Sequence, residues 1–97
     1  MSALMVATIT VKNPADFSAY LEKSKAIASR FGAQMKFRGK KVRELAGDAV
    51  AGDLMIMVEF PSAEDINGWF DSPEYAEIVA LREAGSIQVL TAYEAAT

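Results

Sequence analysis

Leu4 to Val11 reads as a strand, apolar on both faces at its start and alternating with threonine from Thr8 onward. Met5, Ala7, Ile9 and Val11 share one face of it, and Leu4, Val6, Thr8 and Thr10 the other, so both faces begin apolar. Asn13 then offers an N-cap and Pro14 takes the favoured first helical position. Asp16 adds a carboxylate at the positive end of the helix dipole. Steps of three and four through Phe17, Tyr20, Leu21, Ser24, Ile27, Ala28 and Phe31 mark the buried stripe of that helix. Glu22, Lys23, Lys25 and Arg30 fall outside the stripe, and Gly32 is the expected stop.

The period then returns to two. Gln34, Lys36 and Arg38 alternate with Met35 and Phe37, as in a half-buried edge strand, with a bend or bulge expected at Gly39-Lys40-Lys41. Gly47 to Gly52 reads as a turn. Asp53 to Phe60 is the most apolar strand, with Leu54, Ile56, Val58 and Phe60 facing one way and Met55, Met57 and Glu59 the other. Ser62-Ala63-Glu64-Asp65 has the form of a capping box and opens a short helix through Ile66, Trp69 and Phe70. Ser72-Pro73-Glu74 starts a second helix that runs to Gly85 on the face of Tyr75, Ile78, Val79 and Arg82, so a kink is expected near Asp71. Ile87 to Glu94 closes the pattern as a strand.

The order βαββαβ over residues 1–97 predicts one α+β domain of ferredoxin-like type. Its four-stranded antiparallel sheet has the first and third strands at the centre and the helices on one face. Whichever face the helices take, the other still presents either Met5, Ala7, Ile9 and Val11 or Leu4 and Val6, beside Met55 and Met57. Apolar patches above a few hundred Å² are rare on monomers, so a second sheet is the expected cover and the chain is expected to be a homodimer through this face. The competing expectation is a narrower face, or one covered by Ala95-Ala96-Thr97.

Composition narrows the chemistry. Ninety-seven residues carry ten basic and thirteen acidic side chains, a net charge of −3, and Lys36, Arg38, Lys40, Lys41 and Arg43 form the basic cluster; no nucleic acid is expected as partner. Cysteine and histidine are both absent, which removes disulfides, thiolate and imidazole metal sites, Ser-His-Asp catalysis and the side chain that titrates nearest neutrality. No cofactor and no metal are implied. The N-terminal Met-Ser-Ala-Leu-Met shows no leader pattern, and no apolar run approaches the roughly 20 residues of a membrane span. The expectation is a cytoplasmic protein without a membrane partner.

Glu59-Phe60-Pro61-Ser62, followed by Trp69 and then by Ser72-Pro73-Glu74-Tyr75 with Leu81-Arg82, resembles the family catalogued as domain of unknown function 1330. The resemblance extends to the proline-started first helix with Tyr20, to Gly32, to Arg38-Gly39 and to Gly47-Asp48, nearly the whole chain. It implies the dimeric α+β barrel group, in which two ferredoxin-like sheets pack face to face, and it brings no accepted activity.

Glu59 ends an apolar strand on the methionine face, where desolvation would raise its pKa and suit it to general acid or base work. The alternative is an ion pair with Arg38 or Arg82, or solvent at the strand end. Arg38 could clamp a carboxylate, and Tyr20, Trp69 and Tyr75 could line an apolar pocket between helices and sheet. Equally, Arg38 suits a solubilising edge position and the aromatics suit a core. Tyr75 and Arg82, seven apart on one helical face, could reach a cleft with Glu59 or form a dimer contact. Two readings stay open: a binding protein for a small apolar or carboxylate-bearing ligand, and, by analogy with the barrel group, a cofactor-independent monooxygenase- or isomerase-like enzyme using Glu59.

Overall fold

The computed structural model describes residues 2–96; Met1, where the leader reading begins, and Thr97, last of the three candidate covering residues, lie outside them. The elements follow the expected order: β1 (Ala3–Val11), α1 (Pro14–Ser29), β2 (Gln34–Lys40), β3 (Leu54–Phe60), α2 (Ala63–Phe70), α3 (Pro73–Gly85) and β4 (Ser86–Glu94). The strands form one antiparallel sheet in the order β2-β3-β1-β4, with β1 and β3 central as the sequence predicts.

Local chemistry explains where the helices begin. The Asn13 side chain accepts from Asp16 N at 3.1 Å, and Ser62 Oγ accepts from Asp65 N at 3.2 Å while donating to the Asp65 carboxylate at 2.8 Å. The predicted kink is a full break. α2 ends at Phe70 with Asp71 as its C-cap, and Ser72 both donates to the Trp69 carbonyl at 2.8 Å and accepts from Tyr75 N at 3.1 Å, closing one helix and opening the next. α1 ends at Ser29 rather than running to Gly32. Gly32 (φ +81°) turns the chain into β2, and a Cβ there would stand 2.7 Å from the Pro61 ring.

The register settles which face is covered. Met5, Ala7 and Ile9 lie beside Val58, Ile56 and Leu54 on one side and beside Ala92, Leu90 and Gln88 on the other, and this face packs under the helices. Leu4, Val6 and Thr8, flanked by Glu59, Met57, Met55 and by Tyr93, Thr91, Val89, form the opposite, open face. Ile87, Val89 and Tyr93 are 60, 57 and 57% exposed there.

Strand β2 departs from expectation in two ways. The irregularity falls between Met35 and Phe37, not at Gly39-Lys40-Lys41, and it reverses the alternation. Met35 pairs with Val58 on the helix side, whereas Phe37 pairs with Met57 on the open face and Arg38 with Ile56 on the helix side. The strand is also exposed rather than half-buried, with Met35 at 50% and Phe37 at 53%. The Phe37 ring lies over Gly39, where any Cβ would meet it at 2.5 Å. Beyond β2, residues 41–53 form an irregular segment cinched by Lys41, which pairs with Glu44 at 2.6 Å and donates to the Val50 carbonyl.

Candidate functional site

The core has a gap where α1 spans the sheet. Its stripe is bulky at Phe17, Tyr20, Leu21 and Ile27, but Ser24 and Ala28, one turn apart, are small, and Ala7 opposite on β1 is small too. The result is a cavity of about 130 Å³. Its walls come from every layer: Met5, Ala7 and Ile9 of β1, Ile56, Val58 and Phe60 of β3, Leu90 of β4, Leu21, Ser24 and Ala28 of α1, and Trp69 of α2. Lys25, Ser29, Met35 and Gln88 supply the more exposed part of the lining.

Trp69 joins this pocket to an aromatic cluster. Its ring stands 5.6 Å from that of Phe60 and 4.9 Å from that of Tyr75, edge to face. Its indole N–H is buried without a partner. Behind Trp69 the two buried tyrosines meet: Tyr20 and Tyr75 share a hydroxyl–hydroxyl hydrogen bond of 2.7 Å, and Arg82 Nη1 donates to the Tyr75 oxygen at 2.9 Å. The guanidinium also rests 5.8 Å from the Tyr75 ring centre and 5.9 Å from that of Phe70. None of the ion pairs among the described residues involves Arg82. Burial pushes the Tyr20 phenol far above its ordinary value of 10.0, with the Tyr75 hydroxyl adding to the rise, and with the Ser24 hydroxyl, as a donor to the phenol oxygen, and the Arg82 charge opposing it. Tyr20 is therefore a neutral hydroxyl.

The six residues singled out from the sequence divide into three groups. Trp69 lines the pocket, and Tyr20, Tyr75 and Arg82 form a hydrogen-bonded chain behind it. Glu59 lies on the open face, beside Gln34 and Leu4, with a side chain 38% exposed and 3.5 Å from Lys36 rather than from Arg38 or Arg82. The structure does not bring it into a cleft with Tyr75 and Arg82. Arg38 is exposed on the edge strand and does not line the cavity. Ser24, Ala28 and Ala7 escaped notice as site residues because each is unremarkable alone. The available signal was a pair of small residues, Ser24 and Ala28, one turn apart in a stripe otherwise carried by Phe17, Tyr20, Leu21 and Ile27.

Among the described residues no group of three carboxylates is placed to hold a metal ion, and no helix is long and apolar enough to cross a membrane. No curated protein matches the sequence. Solved structures do. A protein of unknown function from Rhodopseudomonas palustris superposes with a TM-score of 0.80 at 18% identity, over 99% of this chain and 83% of that one. SnoaB, a cofactor-independent oxygenase from Streptomyces nogalater, superposes at 0.70 and 15% identity, over 99% and 94%. A dimeric ferredoxin-like protein of unknown function from Thermobifida fusca gives 0.59 and 12%, over 98% and 92%. At these identities the likeness is one of fold. The model of the family described as domain of unknown function DUF1330 matches residues 2–96, and the chain belongs to that family.

Proposed function

We propose that this protein works in the cytoplasm as a homodimer closed through its open sheet faces, and that each protomer binds one small, mainly apolar molecule between sheet and helices. The observation that carries the reading is the cavity of about 130 Å³ walled by apolar side chains from β1, β3, β4, α1 and α2. Cavities of that order are large enough for a benzene-sized molecule. An unfilled apolar pocket is costly in a core this thin, which suits a site kept for a ligand.

The dimer is supported by the open face. Four strands about 4.8 Å apart and about 27 Å long give a footprint of roughly 500 Å², with an accessible area approaching the ~800 Å² per partner of a stable interface. Leu4, Val6, Met55, Met57, Phe37, Ile87, Val89 and Tyr93 make it apolar. The matched Thermobifida fusca protein is described as dimeric.

A saturable rise in melting temperature with benzene or toluene tests the pocket. Ala28→Leu should abolish that rise while leaving the fold intact. No saturable rise with either probe, or an unchanged rise in Ala28→Leu, defeats the reading. The alternative function is a cofactor-independent enzyme of monooxygenase or isomerase type with Glu59 as acid or base, favoured by the fold likeness to SnoaB. Turnover of a candidate substrate that survives in Ala28→Leu but is lost in Glu59→Gln would select it.

A further inference from the structure

We infer that Lys25 is the recognising group at the mouth of the pocket, and that the molecule bound there is a ring-sized apolar body carrying one carboxylate. The ring enters the cavity and the charge stays outside it, against the Lys25 ammonium. This rests on the pocket reading above and deepens it, because it names the class of ligand the apolar cavity takes.

Helical spacing places the charge. Leu21, Lys25 and Ser29 fall four apart and form one row along α1, beside the row of Ser24 and Ala28. Ser24 and Ala28 are buried and close the cavity on the helix side, whereas Leu21 is half-buried and Lys25 and Ser29 are exposed. The row of Lys25 is therefore the boundary between pocket and solvent. All three of its residues line the cavity, and Met35 of β2, 50% exposed, adds a further accessible stretch of lining. A lysine at such a boundary lays its methylene stem along the apolar surface and carries its ammonium out to the water.

The charge of the lining has one sign. Among the described residues Lys25 is the charged side chain that lines the cavity, and no aspartate or glutamate does. None of the ion pairs among the described residues involves Lys25, although Glu22 lies one turn before it on the same helix. The exposed polar neighbours are already engaged: Ser29 Oγ donates to the Ala26 carbonyl at 2.9 Å, and Gln88 Nε2 to Ser86 Oγ at 2.8 Å. The ammonium keeps its donors for an incoming oxygen anion. A carboxylate held at the mouth stays in contact with water and escapes the large cost of burying an ion, while the apolar wall takes up the ring. A ligand cation would meet a like charge, and a doubly charged phosphate would find one cation where it needs two. The cavity volume limits the buried body to about the size of a six-membered ring.

The test titrates the full chain with phenylacetate, phenylacetamide, 2-phenylethylammonium and toluene at low salt, read by ligand-observed NMR. Phenylacetate should bind more tightly than its amide by roughly threefold to tenfold, between the worth of an exposed ion pair and that of a charge-assisted hydrogen bond. Toluene should displace it, since both rings occupy one cavity. Lys25→Met, which keeps an unbranched apolar stem, should remove the preference while leaving phenylacetamide binding unchanged, which also shows that the pocket persists. Lys25→Glu should reverse it in favour of 2-phenylethylammonium. Lys23→Gln removes a charge from an exposed position of α1 outside the lining and should leave the preference in place. If none of the four compounds binds, the pocket reading fails and this inference with it. If toluene binds but phenylacetate binds no better than its amide or is not displaced, the inference alone is overturned. It is overturned equally if the preference survives Lys25→Met, or if Lys23→Gln removes it as fully.

Discussion

Replacing Val89 with Glu separates the stability of the protomer from that of the assembly. Val89 sits on β4 opposite Thr8, on the open face, and is 57% exposed in the isolated chain. A carboxylate there meets water in a monomer, and an exposed substitution of this kind changes folding stability by no more than about 0.5 kcal/mol. In a face-to-face dimer the same position is covered twice, once in each protomer. Burying a valine completely is worth about 1.5–3 kcal/mol, and a little over half remains to be gained here, so its loss removes about 1 kcal/mol per copy. Desolvating an unpaired carboxylate adds at least about 2 kcal/mol per copy. The dimer should weaken by about 6 kcal/mol, more than a thousandfold in dissociation constant. Sedimentation equilibrium at micromolar concentration should give twice the 10.5 kDa chain mass for the native protein and the chain mass itself for Val89→Glu. Circular dichroism should show the variant folded. A native protein that sediments as a monomer, or a variant that dimerises as well as the native chain, would refute the open face as the interface.

Ser72→Ala removes an acceptor for Tyr75 N and a donor to the Trp69 carbonyl at a site 8% exposed, and should destabilise by about 2 kcal/mol in urea denaturation, against about 1 kcal/mol for the exposed cap Asn13→Ala. At Gly85 a Cβ would stand 2.5 Å from Phe17 N, so Gly85→Ala should push α3 away from α1 and cost about 1–3 kcal/mol by the same measurement. Tyr20 stays protonated in the folded chain while its unfolded counterpart ionises near 10.0, so its contribution is complete below that pH and is lost as the pH rises above it. Stability should fall by about 1.4 kcal/mol per pH unit there on account of this group, and Tyr20→Phe should remove that part of the alkaline slope. Glu74 is the reverse case: hydrogen bonding from Arg30 at 2.7 Å holds its carboxyl below the ordinary 4.5, so the pairing contributes above that pH, is lost as the pH falls through the lowered value, and Glu74→Gln should flatten the acid limb.

Most of the architecture was legible because it rests on local rules. Asn13-Pro14 and Ser72-Pro73 are start signals that need no tertiary partner, and the two-faced apolar pattern of β1 and β3 survives intact in the register. The edge strand was misread because a bulge adds one residue to one strand only, and strict alternation through Gln34–Arg38 holds no trace of it. Phe37 consequently moved to the open face and Arg38 away from it. The site was legible only in part. Tyr20 and Tyr75 are 55 residues apart, so their hydroxyl pair depends on how α1 crosses α3, a distance of the fold rather than of the sequence. Glu59 was placed on the right face, but its neighbour Lys36 owes its position to the β2 irregularity beside it.

The central strands give the two proposed roles a common wall. Along β1, Met5, Ala7 and Ile9 line the pocket while Leu4, Val6 and Thr8, one residue away each time, face outward; along β3, Ile56, Val58 and Phe60 alternate in the same way with Met55, Met57 and Glu59. A sheet is one residue thick, so whatever packs against one face bears on the side chains of the other through the same backbone. With helices on only one side, and with small residues rather than bulky ones where α1 spans the cavity, the pocket floor is supported from behind only when the open face is covered. A partner sheet would hold Met5, Ala7, Ile56 and Val58 at fixed spacing, and preorganisation of that kind lowers the ordering cost a ligand must meet. The pocket and the proposed interface are therefore opposite faces of one structural element, which is why the apolar pattern on both sides of β1 and β3 is the most informative feature of the chain.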